Sequence, residues 1–354
     1  MHGQNPIIKS RFALVAIFVL FVSVAPTGAQ SIPERISDDQ FWKLSTDMSE
    51  PDGTFRSDNL LSNEIFFQYV IPDLLKTAKS ERAYLGVGPE QNFTYMAALK
   101  PKIAIIVDIR RGNLDLHLMY KAIFELSKDR ADFVSMLFSK KRPEGLTAQS
   151  SAREIFTAFA NVESSEALYK ENLQTIDEHL KSKHKFALLD LDLRGIEYVY
   201  RNFYQFGPAI NYNSSSGGFG GGMGRVSYAD LMTATDEQGE SRSYLANDAN
   251  FRFLKDLESK NLVVPVVGDF GGLTAIRAIG RYLKENNGTV TAFYLSNVEE
   301  YLYQGRKWEA FCRSVSTLPL DSSSTFIRSE SGFAGGFASS LAPILGDIKG
   351  CVAR

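Results

Sequence analysis

Two short apolar segments on either side of one predicted helix restrict the fold more than any other feature of the chain. Residues 82–87 and 102–108 are rich in Ile, Val, Leu and Ala, and residues 91–99 between them have helical character. A strand–helix–strand unit of this kind is typical of α/β proteins. Nearly continuous apolar runs are typical of strands covered on both faces. With similar runs at 262–267 and 289–295, the pattern predicts a mostly parallel sheet with helices on both faces.

The same pattern divides the chain into segments. The α/β elements fall into two halves, and a helical, aromatic insertion separates them. The insertion contains a glycine-rich stretch, 214–225, which is interpreted either as a plain linker or as a lid over a site. The predicted segments are a signal peptide at 1–29, a helical N-terminal arm at 30–80, the first half of the domain at 81–139, the insertion at 140–260, the second half at 261–330 and a Gly/Ala-rich tail at 331–354.

The N-terminus has the layout of a secretory signal peptide. Lys9 and Arg11 precede the uncharged apolar run 12–24, and small residues at 27–29 suit cleavage before Gln30. We therefore expect an exported protein, either periplasmic or secreted. The apolar run is short for a membrane span. The alternative is an uncleaved segment that anchors the protein in the membrane.

Charge and composition restrict the partners. The chain has 39 Lys and Arg against 41 Asp and Glu, a formal net charge of −2. Because nucleic-acid binding needs an excess of basic residues, we expect no nucleic-acid partner. The expected partner is a small molecule, and the sequence does not determine the oligomeric state.

The cysteines and histidines carry little information by spacing alone. Cys312 and Cys351 can pair in an exported protein, but the sequence leaves the pairing open. His117, His179 and His184 fall in no metal-binding spacing. We therefore expect no metal site.

Glycine or polar residues follow each predicted strand directly. In open α/β sheets, ligands bind outside the carboxyl ends of the strands, so these residues should meet at one edge. This placement predicts a small-molecule site. The candidate ligand-binding residues are Gly86, Gly88, Glu90, Asp108, Asp269, Ser296 and Asn297.

The first strand–helix turn favours a nucleoside over a phosphate. Glycines at 86 and 88 allow a ligand to approach the backbone closely, whereas a dinucleotide fingerprint needs a further glycine where Gln91 stands. No Gly-Lys-Ser/Thr motif of a P-loop is present. Asp108, twenty residues after Gly88, suits a carboxylate that accepts hydrogen bonds from ribose hydroxyls. The alternative is a tight turn without a ligand.

These residues carry a resemblance to a known family. Residues 84–88 followed by 105–108 resemble motif I and the second-strand acid of Rossmann-like, class I SAM-dependent methyltransferases. Residues 266–269 resemble the next motif, in which an acidic residue faces adenine, and 293–302 resemble the fourth-strand motif beside the methyl group. The whole chain also resembles an uncharacterised bacterial family of methyltransferase-like proteins, through residues 57–64, 84–95, 107–111, 267–270 and 318–328.

The resemblance implies a Rossmann-like fold, S-adenosylmethionine as cofactor and methyl transfer to an unknown acceptor. Two positions depart from the methyltransferase pattern, because Tyr84 replaces an acidic residue and Gln91 replaces the third glycine. The alternative function is that of an exported, non-catalytic binding or scaffold protein that retains the methyltransferase fold. Catalytic residues stay unassigned, since nothing favours any one of Glu90, Tyr212 and Glu299 as a general base.

Overall fold

A single six-stranded sheet forms the centre of the molecule. The structure is a computed structural model that describes residues 1–3, 31–214, 226–331 and 337–352. The strands are β1 Ala83–Gly86, β2 Ile103–Asp108, β3 Val263–Val267, β4 Val290–Ser296, β5 Thr325–Ser331 and β6 Phe337–Pro343. Their order is β3-β2-β1-β4-β5-β6, with parallel pairing from β3 to β5 and antiparallel pairing of β6 with β5. The α/β prediction is confirmed, and the sheet is mixed.

Helices account for much of the remaining described chain. They are α1 Asp38–Met48, α2 Ile71–Thr77, α3 Gln91–Leu99, α4 Arg111–Leu126, α5 Arg130–Phe138, α6 Ala152–Phe159, α7 Glu166–Glu178, α8 Asp190–Phe206, α9 Tyr228–Thr233, α10 Asp248–Ser259, α11 Ala275–Glu285, α12 Val298–Gln304, α13 Trp308–Val315 and α14 Ile344–Val352. Shorter helical turns lie at Phe67–Val70, His179–Lys183 and Gly207–Ala209.

The central strands follow the apolar runs of the sequence closely. All residues of β1, β2 and β3 are buried, as are all but the last residue of β4. Side chains on a strand alternate between its two faces, so complete burial requires cover on both faces. This explains why Ile, Val and Leu occupy consecutive positions there.

The last two strands make the sheet mixed. Five residues, 332–336, separate β5 from β6 along the chain. A parallel partner needs a crossover connection of about a dozen residues or more, so a connection this short joins antiparallel neighbours. The segment predicted only as a Gly/Ala-rich tail, 331–354, thus contains β6 and α14. Cys351 of α14 forms a disulfide with Cys312 of α13.

Two predictions fall largely outside the described residues. The signal peptide at 1–29 overlaps residues 4–30, and most of the glycine-rich stretch overlaps residues 215–225. Among the helices that the structure describes, none combines the length and the apolar character needed to cross a bilayer.

The part of the N-terminal arm that follows α1 lies at the carboxyl edge of the sheet. Helix α1 begins with a capping box, in which Ser37 and Gln40 bind each other's backbone N–H groups. After α1 the backbone N–H of Glu50 donates to the carbonyl of Val267, at the end of β3 (2.8 Å). The N–H of Gly53 donates to the carbonyl of Ile109, just beyond β2 (2.8 Å). These bonds hold the non-helical part of the arm over the strand ends.

Candidate functional site

A cavity of about 480 Å³ opens at the carboxyl edge of the sheet. Loops after β1, β2, β3 and β4 form its walls, and residues 54–64 of the arm close one side. Five of the seven predicted ligand-binding residues line it: Gly88, Asp108, Asp269, Ser296 and Asn297. Gly86 and Glu90 do not.

Gly88 shapes the loop between β1 and α3. Its φ of +75° lies in the left-handed region that glycine adopts with least strain. Asn92, in the first turn of α3, donates through Nδ2 to the carbonyls of Val87, Gly88 and Pro89 at 2.9, 3.2 and 2.7 Å. The Gly88 carbonyl also accepts a hydrogen bond from His117 Nε2 (2.9 Å). The loop at the cavity wall is therefore held from behind by buried side chains.

Gly86 has a packing role in this structure. A Cβ atom at this position would overlap Oδ1 of Asn92. That oxygen accepts a hydrogen bond from the hydroxyl of Tyr84 (2.9 Å). The absence of a side chain at Gly86 thus lets α3 approach the end of β1. A ligand was the expected neighbour, but the neighbour is Asn92.

Glu90 lies beneath the same loop, away from the cavity. Its side chain is fully buried, and Oε1 accepts a hydrogen bond from the backbone N–H of Ser62 (3.3 Å). Oε2 has no hydrogen-bond partner among the described residues. Burial raises the pKa of Glu90 to about 8. The group therefore holds a proton at neutral pH.

Asp108, at the end of β2, is bound by Arg110. The guanidinium donates to both carboxylate oxygens, from Nε to Oδ1 (3.0 Å) and from Nη2 to Oδ2 (2.9 Å). The backbone N–H of Arg110 also donates to Oδ1 (3.0 Å). The other end of the guanidinium binds the carbonyls of Ser57 and Asp58 in the arm. A carboxylate has about four acceptor positions, so most of those on Asp108 are in use.

Asp269, after β3, is also paired with a cation. Oδ2 accepts from Nζ of Lys307, and Oδ1 accepts from the backbone N–H of Gly271 (2.8 Å). Glu50 of the arm binds the backbone N–H groups of Asp269 and Thr274, at 2.8 and 2.9 Å. A carboxylate at the start of α11 is favoured by the helix dipole. The arm therefore fixes the loop after β3.

A buried carboxyl group that the sequence did not single out, Glu64, lies at the cavity wall. Oε1 accepts hydrogen bonds from the hydroxyls of Tyr294 (2.9 Å) and Ser296, and Oε2 accepts from Nε2 of Gln91 (2.8 Å). Burial raises the pKa of Glu64. Glu64 precedes Tyr294 by 230 residues, so no local spacing reveals the cluster. In the sequence, Glu64 appeared only as the last residue of the segment 57–64, which carries part of the family resemblance.

The remaining candidates differ in position. Tyr212 lines the cavity, whereas Glu299 lies outside the lining and pairs with Arg328 (2.6 Å). Arg56, also in the lining, donates to the hydroxyl of Tyr301 (2.8 Å) and lies over its ring, 5.5 Å from the centroid. The cavity thus combines aromatic surface with both acidic and basic groups, which suits a polar organic ligand.

Comparison with known proteins places the chain in a family without assigning an activity. No curated protein matches the sequence. A family model described as a domain of unknown function, DUF7790, matches residues 59–188 and 225–340. These ranges include β1 to β5, the loops at the cavity and most of the insertion. Because the match covers more than half of the sequence, the chain belongs to the DUF7790 family.

Proposed function

We propose that the cavity binds S-adenosylmethionine and that the protein is a Rossmann-like methyltransferase whose acceptor the sequence does not identify. The observation that carries the proposal is the position of the cavity. In the sheet, β2 and β3 lie on one side of β1, and β4 and β5 lie on the other side. Open α/β sheets bind ligands at such a reversal of strand order. Gly88, after β1, and Ser296, at the end of β4, both line the cavity.

The lining fits an adenosyl ligand in several respects. A cavity of about 480 Å³ falls in the usual range for small-molecule sites. Phe55, Tyr301 and Glu64 are among the residues that line the cavity. Aromatic surface with a few polar groups is typical of small-molecule sites. Methyl transfer depends mainly on positioning, so a general base is needed only for an acceptor that must lose a proton.

A second candidate is a non-catalytic binding protein that retains the fold. It is favoured by the pairing of Asp108 with Arg110 and of Asp269 with Lys307. Both acids that the resemblance assigns to the adenosyl group already bind cations of the chain. The proposed export and the disulfide between Cys312 and Cys351 also favour it, because disulfides persist in oxidising compartments and SAM is a cytoplasmic metabolite.

Calorimetric titration of the full chain with S-adenosylmethionine and S-adenosylhomocysteine separates the two candidates. We expect saturable binding with one site per chain. Absence of binding at about 1 mM ligand would contradict the first candidate and leave the second.

Variants at the end of β2 test the assigned contacts. Asp108→Ala should weaken binding more than tenfold, since each charge-assisted hydrogen bond contributes about 1.5–3 kcal/mol. Asp73→Ala is the matched control, because Asp73 pairs with Lys76 on the exposed surface of α2. If Arg110 competes with ribose hydroxyls for Asp108, Arg110→Ala should tighten binding. Weaker binding by Arg110→Ala would instead place Arg110 in contact with the ligand.

A further inference from the structure

A second group of ionisable side chains lies apart from the cavity, where α4 meets the end of α7. Nε2 of His179 and Nε2 of His184 each lie 2.8 Å from Oε2 of Glu125. These three atoms lie within 4.8 Å of one another. The side chains of all three residues are at most 7% exposed. None of them lines the cavity.

A local irregularity of the helix brings the two histidines together. After α7 the chain continues through a π-helical turn, His179–Lys183. Such a turn has i to i+5 hydrogen bonds, so residues five apart lie next to each other. The backbone N–H of His184 accordingly donates to the carbonyl of His179 (3.1 Å), and the two ring centroids are 5.0 Å apart. π-helical turns occur frequently at functional sites.

Neighbouring side chains orient two of these groups from behind. Nδ1 of His184 binds Oδ1 of Asp38 (2.7 Å), and that oxygen also accepts from Nδ2 of Asn261 (2.8 Å). Nζ of Lys121 donates to Oε1 of Glu125 (2.8 Å). The second nitrogen of His184 and the second oxygen of Glu125 are therefore both occupied. A carboxylate behind a histidine and a fixed outer oxygen are the usual supports of metal ligands.

We propose that Glu125, His179 and His184 bind a divalent first-row transition metal ion, for which Zn²⁺ is the reference. Imidazole nitrogens with one carboxylate oxygen are a ligand set that such ions accept. Around a tetrahedral ion with bonds of about 2.0–2.1 Å, ligand atoms lie about 3.3 Å apart. The two 2.8 Å separations are slightly shorter. Small outward movements of the rings would let the ion replace the shared protons. A water molecule would complete the coordination.

Two lysines set the affinity of the proposed site. Lys121 is buried and binds the outer oxygen of Glu125, which keeps Oε2 directed at the histidines. Nζ of Lys183 lies 3.3 Å from Oε2, and its side chain is 63% exposed. Lys183 is therefore free to move into solvent, but it competes with a cation for Oε2. The sequence predicted no metal site because the histidines fall in no metal-binding spacing, and Glu125 lies 54 residues before His179.

Metal titration of the full chain, stripped of metal by a chelator, tests the proposal. We expect one Zn²⁺ per chain by calorimetry, and Co²⁺ should give the visible absorption of a tetrahedral complex. Glu125→Gln and His184→Ala should each weaken Zn²⁺ binding at least tenfold. Lys183→Ala should tighten it, because the competing cation is gone. Glu166→Gln is the matched control, since Glu166 pairs with Lys170 on the exposed face of α7.

Two outcomes would overturn the proposal. One is a dissociation constant for Zn²⁺ weaker than about 1 mM. The other is Zn²⁺ binding that persists undiminished in Glu125→Gln and His184→Ala, which would place the ion elsewhere. If circular dichroism shows that either variant does not fold, Asp38→Asn is tested instead. This variant leaves all three ligands in place and should weaken Zn²⁺ binding about tenfold. Unchanged affinity in Asp38→Asn would then count against the proposal.

Discussion

Asp108 and Asp269 at the cavity differ in having cationic partners from Glu90, which is buried beneath the β1–α3 loop, and from Asp115, which is buried on α4. Asp108 pairs with Arg110, and Asp269 pairs with Lys307. Glu90 and Asp115 form no ion pair within the described part of the chain, and each has an oxygen without a hydrogen-bond partner there.

The difference shows that burial alone does not determine the charge of a carboxyl group. Burial raises the pKa of Glu90 to about 8, and burial together with the neighbouring Asp192 carboxylate raises the pKa of Asp115 to about 8. Both groups are therefore largely neutral at pH 7. At the cavity, fixed cations offset the charge of Asp108 and Asp269. Cations thus balance Asp108 and Asp269 at the strand edge, whereas Glu90 and Asp115 avoid a charge by holding a proton.

The largest effect is expected from removing the cation at the end of β2. In Arg110→Ala, the Asp108 carboxylate, 6% exposed, loses its guanidinium partner. Breaking a buried pair in this way costs about 3 kcal/mol of unfolding free energy. Urea denaturation without ligand measures the change. The double variant Asp108→Asn/Arg110→Ala should recover part of the loss. If Arg110→Ala unfolds like the wild type, the pair does not stabilise the edge.

A smaller, pH-dependent effect is expected at Glu90. Because the folded-state pKa is about 8 and the ordinary value is 4.5, the folded protein holds a proton that the unfolded chain releases between these values. Stability should therefore fall as pH rises from about 4.5 to 8, by up to about 1.4 kcal/mol per pH unit. The Gln side chain of Glu90→Gln cannot ionise. The free energy of unfolding of this variant should therefore rise relative to that of the wild type by about 2 kcal/mol between pH 6 and pH 8.

Urea denaturation of the wild type and Glu90→Gln at pH 6, 7 and 8 provides the measurement. Both proteins contain Asp115, so the difference between their free energies of unfolding reports on Glu90 alone. Parallel stability curves would mean that Glu90 is already ionised, or that water reaches it. The contrast between cavity and interior would then be lost.

The smallest effect is expected at the more exposed pair of the cavity. Nζ of Lys307 binds Asp269, but these side chains are 49% and 30% exposed. Exposed ion pairs contribute about 0–1 kcal/mol and are screened by salt. Lys307→Ala should therefore change the free energy of unfolding by less than about 1 kcal/mol, and by less still in 1 M NaCl. A loss as large as that of Arg110→Ala would show that exposure is a poor guide at this edge.

The central strands were predictable because they are buried on both faces, so apolar residues occupy consecutive positions. Residues 102–108 predicted β2, which spans Ile103–Asp108, and 262–267 predicted β3, which spans Val263–Val267. β6 was missed because its sequence, Phe-Ala-Ser-Ser-Leu-Ala-Pro, has few β-branched or aromatic residues. β6 is held in the sheet by its antiparallel pairing with β5, although its sequence has low strand propensity.

The site was only partly predictable, since local patterns place backbone positions better than side-chain partners. Asp108 was expected at the end of β2, where it lies, but its pairing with Arg110 was not foreseen. Gly86 and Gly88 belong to one motif, yet the first makes room for Asn92 and only the second lines the cavity. Glu64 meets Tyr294 only through the fold. Contacts of this range leave no periodic signal in a single sequence.

The hydrogen bonds from Asn92 to the β1–α3 loop have a practical consequence for production of the protein. Asn92-Phe93-Thr94 is an acceptor sequence for N-linked glycans. Asn92 is fully buried, and its Nδ2, the atom that would carry the sugar, binds three carbonyls. A glycan added before folding would prevent the loop from closing. Removing the acceptor sequence at Thr94 is no simple remedy, because Thr94 Oγ1 accepts from the backbone N–H of Tyr244 (3.2 Å). An expression host without this modification is therefore the appropriate one.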